Sequence, residues 1–152
     1  MSRIIIFLVA LMTTIIQAQN EETKVKAAVD TFFEGFHKKD TTLMKSVITD
    51  KVLIQTAYKN KEGKDVLVTD ELGKLVEAIA SRPADHKWDE RLLDCIIQVD
   101  GNMAHAWTPY EFWFNGEFSH CGVNSFQLFK EGETWKIIYL IDTRRKSDCD
   151  ID

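Results

Sequence analysis

Hydrophobic positions along the chain change pattern twice, and the changes divide it into parts. Ile4 to Ile16 is an almost unbroken apolar run. After Asn20, apolar residues recur at Val25, Ala28, Val29, Phe32, Phe33 and Phe36, one side of a 3.6-residue period, which predicts an amphipathic helix over 21–38. Asp40 with Thr41 and Thr42 offers N-cap chemistry to a short second helix carrying Leu43, Met44, Val47 and Ile48. Val52 to Tyr58 reads as a strand, closed by the polar, glycine-containing stretch Lys59 to Lys64, and Val66 to Val68 as a brief one. Leu72, Leu75, Val76 and Ile79 mark a third helix opened by Asp70 and ended by Arg82-Pro83.

From His86 onward the pattern changes to long runs rich in β-branched and aromatic residues, separated by turn signals. Four strands are predicted, at 87–99, 102–114, 117–129 and 134–144, separated by Asp100-Gly101, Asn115-Gly116 and Glu131-Gly132. Helices first and an antiparallel meander afterwards make an α+β domain, with N-terminal helices packed on one face of the sheet. The leader has another meaning. One positive charge at Arg3, a short apolar core and the small residue Ala18 predict a signal peptide over 1–18. The run is shorter than the roughly 20 apolar residues a membrane span needs, although an uncleaved N-terminal anchor is the alternative. Cleavage leaves about 134 residues, one domain at 19–152, periplasmic or secreted and free of the membrane.

Charge and cysteines narrow the partners. The chain carries a formal net charge of −5, and its Lys and Arg residues are interspersed with acids, so no basic stripe invites nucleic acid. Cys95, Cys121 and Cys149 follow no zinc-site spacing; neither a metal nor a cofactor is expected. Cys95 sits within a strand pattern as a core thiol, leaving Cys121 with Cys149 as a candidate disulfide in an oxidising compartment, against three unpaired cysteines.

The chemistry is sought on the sheet. With Asn115-Gly116 at the two central turn positions, Phe114 faces Glu117 and counting outward sets Trp113 opposite Phe118, Glu111 opposite His120, Trp107 opposite Asn124 and His105 opposite Phe126. If Trp135 meets Leu128, then Ile137, Tyr139 and Ile141 join the same face, which the phenylalanines of the first helix would cover. A titratable pair within an apolar surface is costly unless paired, so Glu111 and His120 are the candidate catalytic couple, or a structural cross-strand pair. The count assumes no bulge at Pro109. Phe32, Phe36, Trp107, Trp113, Asn124 and Tyr139 are candidate ligand contacts, together with Tyr110, which the count sets on the other face beside Phe112 and Phe114. That half-aromatic outer face suits solvent or a homodimer contact. Arg144 or Arg145 could hold a carboxylate at the pocket mouth, an ion pair with Asp142 being the plainer role.

Several motifs together resemble the nuclear-transport-factor-2-like superfamily. They are Val29-x-x-Phe32-Phe33-x-Gly35-Phe36 with Asp40 after it, Pro109-Tyr110-x-Phe112, His120-Cys121-Gly122-Val123-x-x-Phe126-x-Leu128, and Trp135-Lys136-Ile137 followed by Asp142-Thr143-Arg144-Arg145. The pattern is similar to exported bacterial members described as lumazine-binding-like or SnoaL-like. The resemblance implies a cone-shaped, cystatin-like roll whose strongly curved sheet wraps an apolar cavity, often as a dimer. It does not fix an activity, because the superfamily spans isomerases, dehydratases, hydrolases, cyclases and noncatalytic binding modules. Three readings follow: an exported domain binding a small apolar or aromatic ligand; an enzyme of the cyclase, dehydratase or isomerase type using His120 and Glu111 for proton transfer; or a structural or interaction domain acting as a homodimer.

Overall fold

A computed structural model of the chain describes residues 2–149, with side chains from Gln19 onward. The side chains of the apolar leader and the expected cleavage point at Ala18 lie outside the described residues.

Helix α1 runs Ser2–Lys38. Val25, Ala28, Val29, Phe32, Phe33 and Phe36 are all buried, as the period requires, while Lys26–Asp30 and Lys38–Glu34 pair on the wet side. Lys39 ends the helix in the left-handed region at φ 59°, and the Asp40 amide donates back to the Gly35 carbonyl at 2.9 Å. Asp40 then caps α2 (Thr41–Lys45) by accepting from the Leu43 amide at 2.8 Å. A Cβ on Gly35 would stand 2.5 Å from the Met44 nitrogen, so only glycine lets α2 fold back this tightly.

The strands are β1 (Ile48–Lys59), β2 (Asp65–Asp70), β3 (Trp88–Leu92), β4 (Ile96–Asp100), β5 (Met103–Phe114), β6 (Glu117–Glu131) and β7 (Thr134–Arg144), with α3 (Leu72–Ser81) after β2. They form one sheet in the order β2-β1-β7-β6-β5-β3, and β4 pairs with β5 beyond β3. The meander is antiparallel as expected. β1 joins it through a parallel pairing with β7, so the curled sheet is mixed. Val47 and Ile48, read as helical, lie outside α2: Ile48 opens β1 and pairs with Ile137, and Val47, in the turn before it, accepts from the Ile137 amide through its carbonyl.

The strand expected over 87–99 is two strands, broken at Leu93 to Cys95. Pro109 explains the break. Its carbonyl accepts from the Leu93 amide at 2.8 Å, and a residue's N–H and C=O leave a strand on the same edge, so the missing donor falls where β3 gives way to β4. The β5–β6 ladder runs through Pro109 undisturbed.

The register is bulged elsewhere. Phe114 pairs with Glu117 and Trp113 with Phe118 as counted, but Phe112 pairs with His120, so Ser119 is an extra residue. Every partner beyond shifts by one: Glu111 faces Cys121, Trp107 faces Ser125, His105 faces Gln127 and Thr108 faces Asn124. Because side chains alternate, one residue of slip changes which face each strand presents relative to its neighbour. A second bulge between Gln127 and Leu128 inserts Ile138, so Ile137 and Tyr139 also part company. The concave face consequently carries Ala104, Ala106, Thr108, Tyr110 and Phe112 from β5. Phe32 and Phe33 pack on it edge-to-face with Phe126, at 5.7 and 5.9 Å between centroids. Cys121 and Cys149 form a disulfide across a separation of 28 residues, and Cys95 is free in the β3–β4 break.

Candidate functional site

Two neighbouring rows of side chains cross the concave face. One is apolar: Ala106, Phe126, Leu140 and Ile54, aligned across β5, β6, β7 and β1. The next, two residues along each strand, is polar: Thr108, Asn124, Asp142 and Thr56. Helices α1 and α3 do not cover this region completely, and a cavity of ≈ 340 Å³ remains between them and the sheet. Phe32, Phe33, Phe36 and Leu75 form its apolar wall; Glu90, Asn124, Asp142 and Arg144 form the polar one.

Asp142 is the hub. Thr56 Oγ1 donates to its Oδ1 at 2.6 Å, while Arg144 Nε donates to its Oδ2 at 2.7 Å and the Tyr110 hydroxyl, shared with the Thr143 carbonyl, approaches the same oxygen at 3.2 Å. Burial, then the charge of Asp142, pushes the Tyr110 phenol far above its ordinary value, so it stays a donor. Its ring needs a glycine opposite: a Cβ on Gly122 would lie 2.9 Å from Tyr110 Cε1 and 1.8 Å from the Thr143 carbonyl oxygen.

Glu90 comes from β3 beside Phe112, and its residual exposure opens on the cavity it lines. Asn124 Nδ2 donates to its Oε1 at 2.8 Å. Burial pushes the Glu90 carboxyl up to about 7, with Asp142 adding repulsion and Asn124 and Arg144 offsetting part of it. Behind it, the Glu90 amide donates to His37 Nε2 at 3.0 Å, which requires an unprotonated nitrogen there; burial lowers the His37 pKa in the same sense. A carboxyl that can be protonated near neutrality, next to a neutral amide, can give or take a proton or hold a ligand's polar group.

The residues singled out in the sequence are divided by the bulges. Phe32, Phe36 and Asn124 stand in the cavity wall, and Tyr110 lies beneath it under Asp142. Glu111 and His120 do not face each other. Glu111 is on the convex face, accepting from Trp113 Nε1 at 3.0 Å. His120, on the concave side, stacks on Phe112 at 4.9 Å with its Nδ1 3.1 Å from Ser119 Oγ. Burial first, then the neighbouring cations Arg144 and Lys146, depress His120 to about 4, so it is neutral. Trp107 is 41 % exposed on the convex face, Trp113 lies there under the Arg91 guanidinium at 4.4 Å, and Tyr139 donates to Gln55 Oε1 at 2.7 Å on the same side. Glu90, Asp142 and Thr56 line the cavity and were not among the candidate ligand contacts or the catalytic couple. The signal for Glu90 was Trp88-x-Glu90-x-Leu92, an acid whose same-face neighbours on a strand are both apolar.

No family model matches the chain, and no curated protein matches it. Solved structures do. A nuclear-transport-factor-2-like protein of unknown function from Shewanella baltica superposes with a TM-score of 0.62 at 16% identity, covering 84% of this chain and 96% of that one. One from Pseudomonas putida, also of unknown function, gives 0.67 at 11%, covering 88% and 97%. A protein of unknown function with a cystatin-like fold from Nostoc punctiforme gives 0.61 at 11%, covering 82% and 91%. Helices laid on a curled, unclosed sheet are thus a shared architecture: the chain has the fold of the nuclear-transport-factor-2-like superfamily.

Proposed function

We propose that the domain binds a small organic molecule, apolar or aromatic over most of its surface and carrying a polar group, in the cavity beneath α1 and α3. The observation that supports this reading most strongly is the division of one cavity into a phenylalanine wall and a facing polar row. Its volume of ≈ 340 Å³ lies at the small end of the range, about 300–1,000 Å³, that small-molecule sites occupy. Native mass spectrometry of the protein purified from its own cells should find a bound small molecule, and Ala78→Phe, which fills the cavity from α3, should remove it. A protein that arrives empty and binds no aromatic probe in titrations would sink the reading.

The same proposal places the protein outside the cytoplasm, periplasmic or secreted. The apolar leader supports it, and so does a disulfide of the kind that persists in oxidising compartments. Intact-mass measurement of the native protein should give a chain starting at Gln19.

A second reading has its own support in Glu90. A cavity carboxyl pushed up to about 7 is suited to moving protons on a bound carbon acid, which transfers the enzymatic role from His120 and Glu111 to this residue. In D2O, a ketone bound in the cavity should then exchange its α-protons at a rate that rises through pH 7. Glu90→Gln should abolish exchange while the ketone stays bound. Exchange unaffected by the substitution refutes the enzymatic reading and leaves the binding one.

A further inference from the structure

The cavity does not end at its polar row. A larger groove, ≈ 1250 Å³, runs on from its mouth between the β1–β2 hairpin and the segment after β7, and the two spaces share Thr56, Asp70 and Arg144 in their walls. Although the chain has a net charge of −5, this groove is lined by five cationic side chains, Lys59, Lys61, Arg144, Arg145 and Lys146, against two carboxylates, Asp65 and Asp70. Lys59 is committed to Asp65 at 2.5 Å and Arg144 Nε to Asp142. Lys61, Arg145 and Lys146 have no ion-pair partner among the described residues, and Arg144, with its side chain 54% exposed, still has guanidinium donors to offer.

We infer that the ligand is an amphipathic organic anion, its apolar body among the phenylalanines and its carboxylate in the groove on Arg144, Arg145 and Lys146; the inference rests on the cavity reading above. Three observations orient it. The inner wall sets Asp70, Glu90 and Asp142 against Lys74 and an Arg144 already paired with Asp142, so it attracts an anion less than the groove, where five cations face two carboxylates. The cations concentrate at a concave surface, where a field of one sign is focused. The segment bearing them is held in place: Cys121 and Arg145 exchange both backbone hydrogen bonds at 2.9 Å, and Cys149 is tied to Cys121, so little ordering is required when an anion binds. The depression of the His120 imidazole, partly by Arg144 and Lys146, reports the same positive potential at the groove wall.

Calorimetric titration of the purified protein with 3-(2-naphthyl)propanoate and with its uncharged amide separates the two claims. The acid should bind at least about tenfold more tightly than the amide at low salt, and the gap should close between about 0.02 and 0.5 M salt. In the double variant Arg145→Gln/Lys146→Gln, whose changes are at exposed positions, the acid should lose most of its preference over the amide, Arg144 alone remaining, while the amide is unchanged. Equal affinities in the native chain, or a preference for the acid that is undiminished in the double variant, overturn the anion inference and leave the cavity reading standing. Failure of both probes to bind overturns both.

Discussion

Glu90 is the residue at which local placement and chemistry meet most directly. Burial, and then the nearby Asp142 charge, push its carboxyl up from the ordinary 4.5 to about 7 in the folded protein. The folded state therefore holds its proton more tightly than the unfolded chain. Stability from this group is complete below about pH 4.5 and is lost as pH rises through 7, by up to about 3 kcal/mol. His37 and His120 act in the opposite direction, since their depressed values cost stability as pH falls below their ordinary range. Urea denaturation of native protein and Glu90→Gln at pH 5 and pH 8 isolates the term: the native protein should lose stability relative to the variant on going to pH 8. A constant difference between the two proteins would show that Glu90 is ionised throughout.

At the scale of elements, what could be read from the sequence depended on how local the signal was. Helix α1 was legible because its six buried apolar residues repeat over about three turns, and the β5–β6 turn because Asn115 and Gly116 accept positive φ, 53° and 86°. The single residue Ser119 was not legible: a bulge there needs no glycine and leaves no compositional mark, yet it sets Glu111 and His120 on opposite faces. The parallel union of β1 with β7 was equally hidden, since its partners lie more than eighty residues apart. The rows that make the site depend on these long-range registers, which is why Asp142 was read only as an ion-pair partner. The Cys121–Cys149 bond, by contrast, was legible as the candidate pair once Cys95 was assigned to a strand, with three unpaired cysteines as the alternative. It closes a loop of 28 residues around β7, and removing it in Cys121→Ala/Cys149→Ala should cost about 3–4 kcal/mol by chain entropy, read from denaturant midpoints. A loss below about 1 kcal/mol would mean that the Cys121–Arg145 backbone pairing alone holds the tail.

For the whole molecule, the open space between helices and sheet is a cost that packing could have removed. The phenylalanine cluster on Phe126 shows that this layer can be filled densely, and α3 brings Lys74, Leu75 and Ala78 to the cavity with no aromatic ring to close it. A cavity next to a row of polar side chains forgoes apolar contacts on one side and leaves hydrogen-bonding groups on the other, which makes sense where a ligand supplies both. Filling it should separate stability from function. Ala78→Phe should raise the stability of the ligand-free protein by about 0.5–2 kcal/mol, seen as a higher Tm, while abolishing binding of the naphthyl probes. Native protein saturated with ligand should recover the difference through mass action, because a ligand held only by the folded state stabilises it in proportion to occupancy. If Ala78→Phe instead lowers Tm with the fold intact, the space is not available to an added ring, and α3 is packed where the cavity is drawn; the ligand would then have to bind in the outer groove alone.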